Sequence, residues 1–425
     1  MSFPVPGRKE IENSYLEAKE IYRRYGVDTD KALAVLGGVR PSLHCWQGDD
    51  VGGFEVKKKS LSGGILATGG FPGKARTPDE LRQDIEKAAS LIPGRLKVNL
   101  HALYLESDGV FVDRDAIEPK HFARWIDWAK EKGLGLDFNP TFFSHEMAAS
   151  GFTLSHQDKA VREFWIEHAC RCREIAAVFA RKLKDVCVLN YWVPDGLKDL
   201  PADRWSPRKR LVDSLDKIFR KDIGKNVKEA VEGKLFGIGS EEYVVGSNEF
   251  YLAYALTRGK LPCMDMGHYH PTEVVYDKIS AVFQFAPELL IHVSRPIRWD
   301  SDHVVILNDD LLLLCKEIVR GGSLRKVYLA TDYFDASINR IGAWVVGVRS
   351  LLKGLLIGML DPVDSLRGFE ADGKGADRLA LAEEFKAMPW GAVWNYYCAA
   401  KDVPVGGAWI DVMRDYERKI LAKRR

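Results

Sequence analysis

A chain of 425 residues, 46% of them hydrophobic and 29% charged, has the composition of an ordinary globular protein. It is long enough to bury a large core without disulfides or a structural metal. Its 62 basic and 60 acidic residues leave a formal net charge of only +2, which disfavours a surface built to follow phosphates, so we expect no nucleic-acid partner.

Cysteine use and hydropathy indicate the compartment. The seven cysteines are odd in number and form no Cys-x-x-Cys pair, which favours reduced thiols over disulfides or a zinc–thiolate site. The start of the sequence lacks the basic and apolar regions of a signal peptide. The apolar runs 311–315 and 351–360 are too short or carry a lysine, so neither is expected to span a bilayer. We expect a cytoplasmic protein without a membrane partner, and a solvated helix end for the basic tail at 418–419 and 423–425.

Short β-rich runs alternate along the chain with charged stretches of helical period. Two helices, at 11–25 and 28–36, are predicted before the first strand. The predicted strands are 42–46 (the end of the first), 96–104, 134–143, 185–193, 234–239, 261–266, 288–293 and 326–331. The predicted intervening and following helices are 78–90, 119–132, 158–184, 207–231, 248–258, 272–284, 308–319 and 339–356.

This alternation predicts an α/β fold in which parallel strands are joined by crossover helices. Eight units close a (β/α)₈ TIM barrel. An open doubly wound sheet is the alternative, but no Gly-x-Gly-x-x-Gly turn follows any predicted strand. We expect an N-terminal helical segment at 1–38, a catalytic barrel at 39–361 and a C-terminal helical extension at 362–425. The extensions are expected to pack on the barrel or on a neighbouring subunit.

Metal-ligand side chains follow the last four predicted strands, at the barrel end where such enzymes place their chemistry. They are Glu241 after the fifth strand, Asp265 and His268 after the sixth, His292, Asp300 and Asp302 at and after the seventh, and Asp332 after the eighth. Two like charges about 4 Å apart repel by roughly 4 kcal/mol at an effective dielectric of about 20, so five convergent carboxylates need cations. Carboxylates and imidazoles without thiolates favour Mn²⁺, Mg²⁺ or Co²⁺ over structural zinc.

Each of these signals alone has an ordinary structural explanation. An isolated Asp-x-Asp, as at Asp300 and Asp302, is typical of a solvated loop, and His292 in an apolar strand could be a packed core histidine. Their occurrence together on four successive strands favours a metal site. Glu241 and Glu242 compete for one role, and Glu241 is favoured because it comes first after the predicted strand. Glu232 precedes that strand and is expected at the opposite end of the barrel.

Several long runs resemble the L-rhamnose isomerase family. They extend from His44 to Glu55, from Gly246 to Tyr251, from Gly267 to Glu273, from His292 to Pro296, from Arg298 to Val305 and from Phe334 to Arg340. The resemblance covers nearly the whole chain. It implies a xylose-isomerase-like barrel that interconverts L-rhamnose and L-rhamnulose, is usually tetrameric and binds two Mn²⁺ per subunit, with Co²⁺, Zn²⁺ or Mg²⁺ as substitutes.

The resemblance also implies a ligand set for each ion. The first ion would bind Glu241, Asp265, His292 and Asp332. The second would bind His268, Asp300 and Asp302, with Asp265 bridging the two.

The implied isomerisation of a sugar suggests roles for further residues. Asp332, or a water that it orients, would move the hydroxyl proton. His101 would open the sugar ring or contact a sugar oxygen, or else pack at the strand end. The expected substrate-binding residues are His44, Trp46, Asp49, Trp192, Lys198 and His270. Trp192 has a core aromatic as its alternative reading, and Lys198 a surface lysine. A hydride shift and an enediol proton transfer both fit these residues.

Three other functions are compatible with parts of the pattern. Another two-metal barrel enzyme could act on a different sugar, or as a hydrolase of the endonuclease type, although the near-neutral charge disfavours the latter. A two-carboxylate glycosidase would not need the histidines. A non-catalytic sugar-binding barrel would explain Trp192 and His101 but not the dense carboxylates.

Overall fold

Eight parallel strands close into a barrel in the computed structural model of the protein, which describes residues 2–56, 67–235, 242–297 and 299–424, with the backbone alone at 299–302. In chain order the barrel strands are β1 (Ser42–His44), β2 (Lys97–His101), β3 (Gly135–Asn139), β4 (Cys187–Trp192), β5 (Val227–Glu232), β6 (Leu261–Asp265), β7 (Leu289–Val293) and β8 (Val327–Thr331). Each strand pairs with the next, and β8 closes the barrel on β1 with Ser42 opposite Ala330. The predicted (β/α)₈ barrel is confirmed.

Helices precede, connect and follow these strands. The N-terminal pair is α1 (Arg8–Arg23) and α2 (Thr29–Leu36). The helices that follow successive strands are α3 (Pro78–Ala89), α4 (Ala123–Lys132), α5 (Lys159–Leu183), α6 (Trp205–Ile218), α7 (Asn248–Arg258), α8 (Val275–Val282), α9 (Asp309–Arg320) and α10 (Arg340–Met359). The C-terminal helices are α11 (Val363–Ala371), α12 (Gly375–Glu384), α13 (Trp390–Ala400) and α14 (Ala408–Lys419).

Strand β5 lies seven residues before the position predicted for it. Residues 227–231 fall in the charged stretch predicted as the helix 207–231, but α6 ends at Ile218 and residues 227–232 form the strand. Its two glutamates are buried in ion pairs: Glu229 with Arg173 and Lys260, and Glu232 with His268. Tertiary partners thus override the local pattern. Of the predicted strand 234–239, residues 236–239 lie outside the described residues.

The two ends of the chain pack against each other and against the barrel helices. Tyr15 of α1 stacks on Tyr396 of α13 with ring centroids 4.0 Å apart. Within the predicted solvated tail Lys423 is exposed, but Arg424 is buried and its Nη2 donates to Asp84 Oδ1 at 2.9 Å. The C-terminal extension is therefore anchored to α3.

Helix α10 is, among the described residues, the one helix long and apolar enough to meet the length and composition of a membrane span. Its apolar window is 78% buried inside the protein, as in a core helix. Small residues allow this close packing: a Cβ at Gly354 would lie 2.8 Å from Cys315 Sγ of α9.

The interior of the barrel is layered, and the layers position the site. Alternation along β5 places Lys228, Ala230 and Glu232 on one face. An apolar layer, separate from the main core, crosses the barrel at the height of Ala230; it contains Val188, Ala230, Leu261, Cys263, Leu290 and Ala330. Polar residues lie on both sides of this layer, and those beyond the C-terminal ends of the strands form the candidate site.

Candidate metal centre

Four side chains from four successive strands meet above the apolar layer. Glu232 ends β5, Asp265 ends β6, His292 lies in β7 and Asp332 follows β8. One ligand atom from each lies within 4.8 Å of the others. The Nδ1 of His292 is 3.5 Å from Glu232 Oε2, 3.5 Å from Asp265 Oδ2 and 3.3 Å from Asp332 Oδ2. Three carboxylates thus surround one imidazole.

Several polar atoms in this cluster are buried without a hydrogen bond of standard geometry among the described residues. They include Asp265 Oδ2 and both ring nitrogens of His292. Leaving such atoms unsatisfied in a low-dielectric interior is costly, and buried charges are normally paired or coordinate metals. Three carboxylates and one imidazole that point at a common centre fit a divalent cation of the Mn²⁺ or Mg²⁺ type.

The surrounding residues fix how these carboxylates point. Asp265 Oδ1 accepts hydrogen bonds from Gly267 N at 2.6 Å and from Ser294 Oγ at 3.0 Å, while its other oxygen faces the centre. Asp332 Oδ1 accepts from Trp46 Nε1 at 3.0 Å. One oxygen of Asp265 and one of Asp332 are therefore held by the protein, and the other oxygen of each is directed towards the cation position.

The electrostatics reflect the concentration of acidic groups. Burial alone lowers the pKa of His292, but its acidic neighbours, Cys263 and Glu232 first among them, outweigh burial and raise the pKa well above the usual histidine value. Burial likewise raises the pKa of Glu232, but His292 and His268 outweigh it and lower the pKa well below its usual value. A positive charge is strongly favoured at this centre, where a divalent cation would replace the proton on His292.

His268 lies beside this cluster, with its Nδ1 2.9 Å from Glu232 Oε1. The other ligands predicted for a second ion, Asp300 and Asp302, lie in a strand (Trp299–His303) that pairs with Arg295–Ile297 directly after β7; their side chains are outside the described part.

The carboxylate that β5 brings to the cluster is Glu232. The prediction that Glu232 lies at the opposite end of the barrel is wrong, because it followed from the misplaced fifth strand. Glu241 lies outside the described residues, so its predicted role stays a prediction. Its competitor Glu242 is exposed and pairs with Arg204 at 2.9 Å.

Three of the predicted sugar-contacting residues form an aromatic wall near the cluster. The ring of Trp46 is 5.3 Å from that of His44 and 5.0 Å from that of His101. His44 Nδ1 is 2.7 Å from Thr331 Oγ1, and His101 Nδ1 is 3.1 Å from Thr141 Oγ1. Burial lowers the pKa of both histidines to about 3, so both rings are neutral near pH 7.

Asp49 and Trp192 have clear partners within the protein. Both oxygens of Asp49 accept hydrogen bonds, from Tyr104 Oη at 2.6 Å and from Gly53 N at 2.7 Å, and burial raises its pKa to about 7. The ring of Trp192, at the end of β4, lies under Lys234 Nζ at 4.5 Å.

Lys198 and His270 differ from the other predicted contacts, because both are exposed whereas the cluster is buried. His270 Nδ1 is 2.8 Å from Thr272 Oγ1.

Comparison with known proteins gives the family. Residues 9–424 match the family model described as L-rhamnose isomerase (RhaA). The L-rhamnose isomerase of Mannheimia succiniciproducens is 54% identical, over 97% of this chain and 99% of that protein. The chain belongs to the L-rhamnose isomerase family. The L-rhamnose isomerase of Rhodopirellula baltica is 53% identical, over 97% of both chains.

Members of this family are aldose–ketose isomerases, so the predicted enzyme class is confirmed and is favoured over the hydrolase, glycosidase and sugar-binding alternatives. Among solved structures, a xylose isomerase-like TIM barrel protein from Mycobacterium smegmatis in complex with magnesium has a TM-score of 0.45 and 12% sequence identity, over 76% of this chain and 99% of that chain.

Two buried residues with contacts at the site carried no recognisable sequence signal. Asn190 of β4 donates its Nδ2 hydrogen to Glu232 Oε2. Arg114 donates to the carbonyl of Thr141 at 2.8 Å and pairs with Glu55. A buried amide or arginine in a polar context is recognised only when its partners are known. Glu232 did have a sequence signal, because Lys228, Ala230 and Glu232 have the spacing of residues on one face of a strand.

Proposed function

We propose that this protein interconverts L-rhamnose and L-rhamnulose with the aid of two Mn²⁺ ions per subunit. The observation that carries the proposal is the convergence of three carboxylates and one imidazole from four successive strand ends on a buried centre. Family membership supplies the sugar, and the donor set supplies the preference for a hard divalent cation.

Glu232, Asp265, His292 and Asp332 would hold the first ion. The second would bind His268 together with Asp300 and Asp302, with Asp265 shared. The position of His268 beside Glu232 supports this pairing of sites. Since His268 Nδ1 faces the carboxylate of Glu232, the imidazole would use Nε2 towards the second ion.

When bound, the two cations would supply Lewis acidity to the C1 and C2 oxygens of the sugar. Asp332 is suited to moving the hydroxyl proton, because its side chain is 18% exposed and therefore the most accessible of the four ligands, and Trp46 fixes its orientation. His101, neutral and held by Thr141, would hydrogen-bond a sugar oxygen during ring opening.

The walls of the mouth would orient the sugar and exclude water. Trp46 and Trp192 offer aromatic faces to its C–H groups, and Phe143 packs against both His101 and Trp192 at 5.7 Å. His44, Asp49, Lys198 and His270 stay predicted contacts, and Asp49 would act chiefly by holding the loop after β1.

The test is an L-rhamnose to L-rhamnulose assay on metal-stripped full-length protein, with and without added Mn²⁺. We expect turnover only in the tube that contains the ion. Product in neither tube would contradict the isomerase proposal, and equal product in both would contradict the need for a cation.

We also infer that the enzyme is a cytoplasmic homotetramer. Its seven thiols are all free, as in a reducing compartment. Leu200 and Trp205, near the mouth, are 71% and 88% exposed, which favours a subunit contact there. Light scattering should give four times the 47.9 kDa mass of the chain. A monomer would contradict the assembly without affecting the proposed reaction.

A further inference from the structure

One thiol borders the candidate metal centre. Cys263 precedes Asp265 by two residues on β6, so both side chains point into the barrel. Cys263 is also part of the apolar layer beneath the centre, and it lies opposite Glu232 in the register of β5 and β6. Cys263 therefore lies at the boundary between the apolar layer and the polar cluster.

Cys263 belongs to a second set of converging ligand atoms. One ligand atom each from Glu232, Cys263 and His292 lies within 4.8 Å of the other two, and all three residues are buried. Donors around zinc lie about 2.0–2.3 Å from the ion, so two of them are at most about 4.5 Å apart. Only small side-chain shifts would close this set around a cation.

An independent observation indicates that the set is built for a ligand. Among the described residues, neither ring nitrogen of His292 makes a hydrogen bond of standard geometry, and this residue is only 2% exposed. The thiol alone would not define a site. One ring nitrogen of His292 and one carboxylate oxygen of Glu232 supply the other donors.

We propose that Glu232, Cys263 and His292 form a thiophilic metal site that takes soft or borderline divalent cations such as Cd²⁺ and Zn²⁺. As the Sγ–metal bond forms, the thiol proton leaves for solvent. The thiolate and the carboxylate then balance the two positive charges of the ion, with a neutral imidazole as the third ligand.

The donor types separate this site from the one proposed for catalysis. Soft cations prefer thiolate, whereas Mn²⁺ and Mg²⁺ prefer carboxylate oxygen and gain little from sulfur. Both sets use Glu232 and His292, so the two ions compete for the same side chains. A thiophilic ion bound to Cys263 would lie closer to the apolar layer. It would take Glu232 and His292 from the catalytic ion and so inhibit the enzyme.

The inference shares two residues with the proposed function but does not depend on turnover. Metal-stripped full-length protein is titrated with Cd²⁺, and the ultraviolet sulfur-to-cadmium charge-transfer band is recorded. We expect the band in the native protein and its loss in Cys263→Ala, with cadmium affinity lowered at least about tenfold, since even an outer-shell partner costs that much. Cys315→Ala is the matched control, because Cys315 is equally buried but lies in the helical layer; it should keep the band.

Two further measurements keep the test decisive if Cys263→Ala folds poorly. In the native protein, the ¹¹³Cd resonance should show the downfield shift of a sulfur ligand. Cadmium added to the Mn²⁺-loaded protein should release one Mn²⁺ per Cd²⁺ bound, read from the spectrum of the free ion. A nitrogen–oxygen shift, a band that persists in folded Cys263→Ala, or cadmium binding without Mn²⁺ release would overturn the proposal.

Discussion

The two ends of the barrel interior treat buried charge in opposite ways. Below the apolar layer, Lys97 donates to Asp137, and Lys228 pairs with Glu288. Above it, three carboxylates crowd around His292, and several of their polar atoms have no hydrogen bond of standard geometry within the described structure. Strand β5 contributes to both arrangements, through Lys228 and Glu232.

The lower end resembles a structural ion-pair network. Asp137 accepts from Val188 N at 2.7 Å as well as from Lys97, whose Nζ also donates to the carbonyl of Val186 at 2.7 Å. Each buried charge is thus both paired and hydrogen-bonded, which is what makes burying it tolerable. Among the described residues, the upper end has less of this internal compensation, so its charges are available to a cation and substrate. The difference separates the end that maintains the fold from the end that performs chemistry.

The largest effect on stability is expected at the lower end. Asp137→Asn would leave the buried ammonium of Lys97 without its counter-ion, and breaking a buried pair in this way costs about 3–5 kcal/mol. Urea unfolding of the metal-free protein measures the loss, and KM for the sugar should not change. Glu163→Gln is the control, because its pair with Lys217 is exposed and worth less than about 1 kcal/mol. Equal losses in the two variants would contradict the structural role of the lower end.

At the upper end the main loss should be in turnover. Glu232→Gln removes one of the proposed ligand charges and should lower kcat/KM with saturating Mn²⁺ at least about 100-fold, which corresponds to about 2.7 kcal/mol. The matched control is Glu242→Gln, at the exposed carboxylate that pairs with Arg204. Full activity in Glu232→Gln, or an equal loss in the control, would exclude Glu232 as an important ligand.

Most of the fold followed from periodicity alone. Seven of the eight barrel strands lie within their predicted segments, and α7 has the predicted bounds, because apolar runs and helix-start residues there agree with the final structure. The exception, β5, contains three charged residues in six. Its burial depends on Arg173, Lys260 and His268, which come from other elements, and no local pattern could reveal them.

The site residues could be predicted as accurately as the ends of the strands that carry them. Asp265, His292 and Asp332 come together as expected, because each strand end was placed to within a residue or two. The misplaced β5 is why Glu232 was not expected at this end of the barrel, whereas the role predicted for Glu241, which lies outside the described residues, stays a prediction. The exposure of loop side chains was the other feature that could not be predicted. The sequence position of His270 suggested a place at the mouth, but whether a loop side chain turns inward depends on packing that the sequence does not specify locally.

Metal addition should stabilise the upper end selectively. A ligand that binds only the folded state adds about 2.7 kcal/mol to the unfolding free energy at about 100 times its Kd. We expect Mn²⁺ to produce this gain in the native protein and in Asp137→Asn, but to give much less in Glu232→Gln. Unfolding curves with and without the ion provide the measurement. A gain that Glu232→Gln retains in full would place the ion elsewhere.

The smallest effect is expected on the pH dependence of stability, and it comes from His168, a buried histidine whose hydrogen bonds differ from those of His292. The ring of His292 makes no hydrogen bond of standard geometry with the described part of the chain, whereas His168 Nε2 accepts from Thr141 N at 2.9 Å and its Nδ1 donates to the carbonyl of Arg114 at 2.9 Å. Burial, reinforced by Arg114, lowers the pKa of His168 from 6.5 to about 3, so the folded state holds this ring neutral. Between these values the unfolded chain binds one proton more than the folded protein. Stability is therefore complete above about pH 6.5 and falls as the pH drops towards 3, by up to about 1.4 kcal/mol per unit for this one ring.

His168→Gln keeps a donor and an acceptor but cannot titrate, so it should remove one proton from the pH dependence of unfolding. Urea unfolding of the metal-free protein at about pH 7, 6 and 5 gives the slope through the linkage relation. The variant should lose less stability on acidification than the native protein, even if it is less stable at neutral pH. The folded protein is expected to resist protonation of His168, because both ring nitrogens are hydrogen-bonded in the neutral form. Parallel slopes would contradict this and show that the proton is taken up elsewhere.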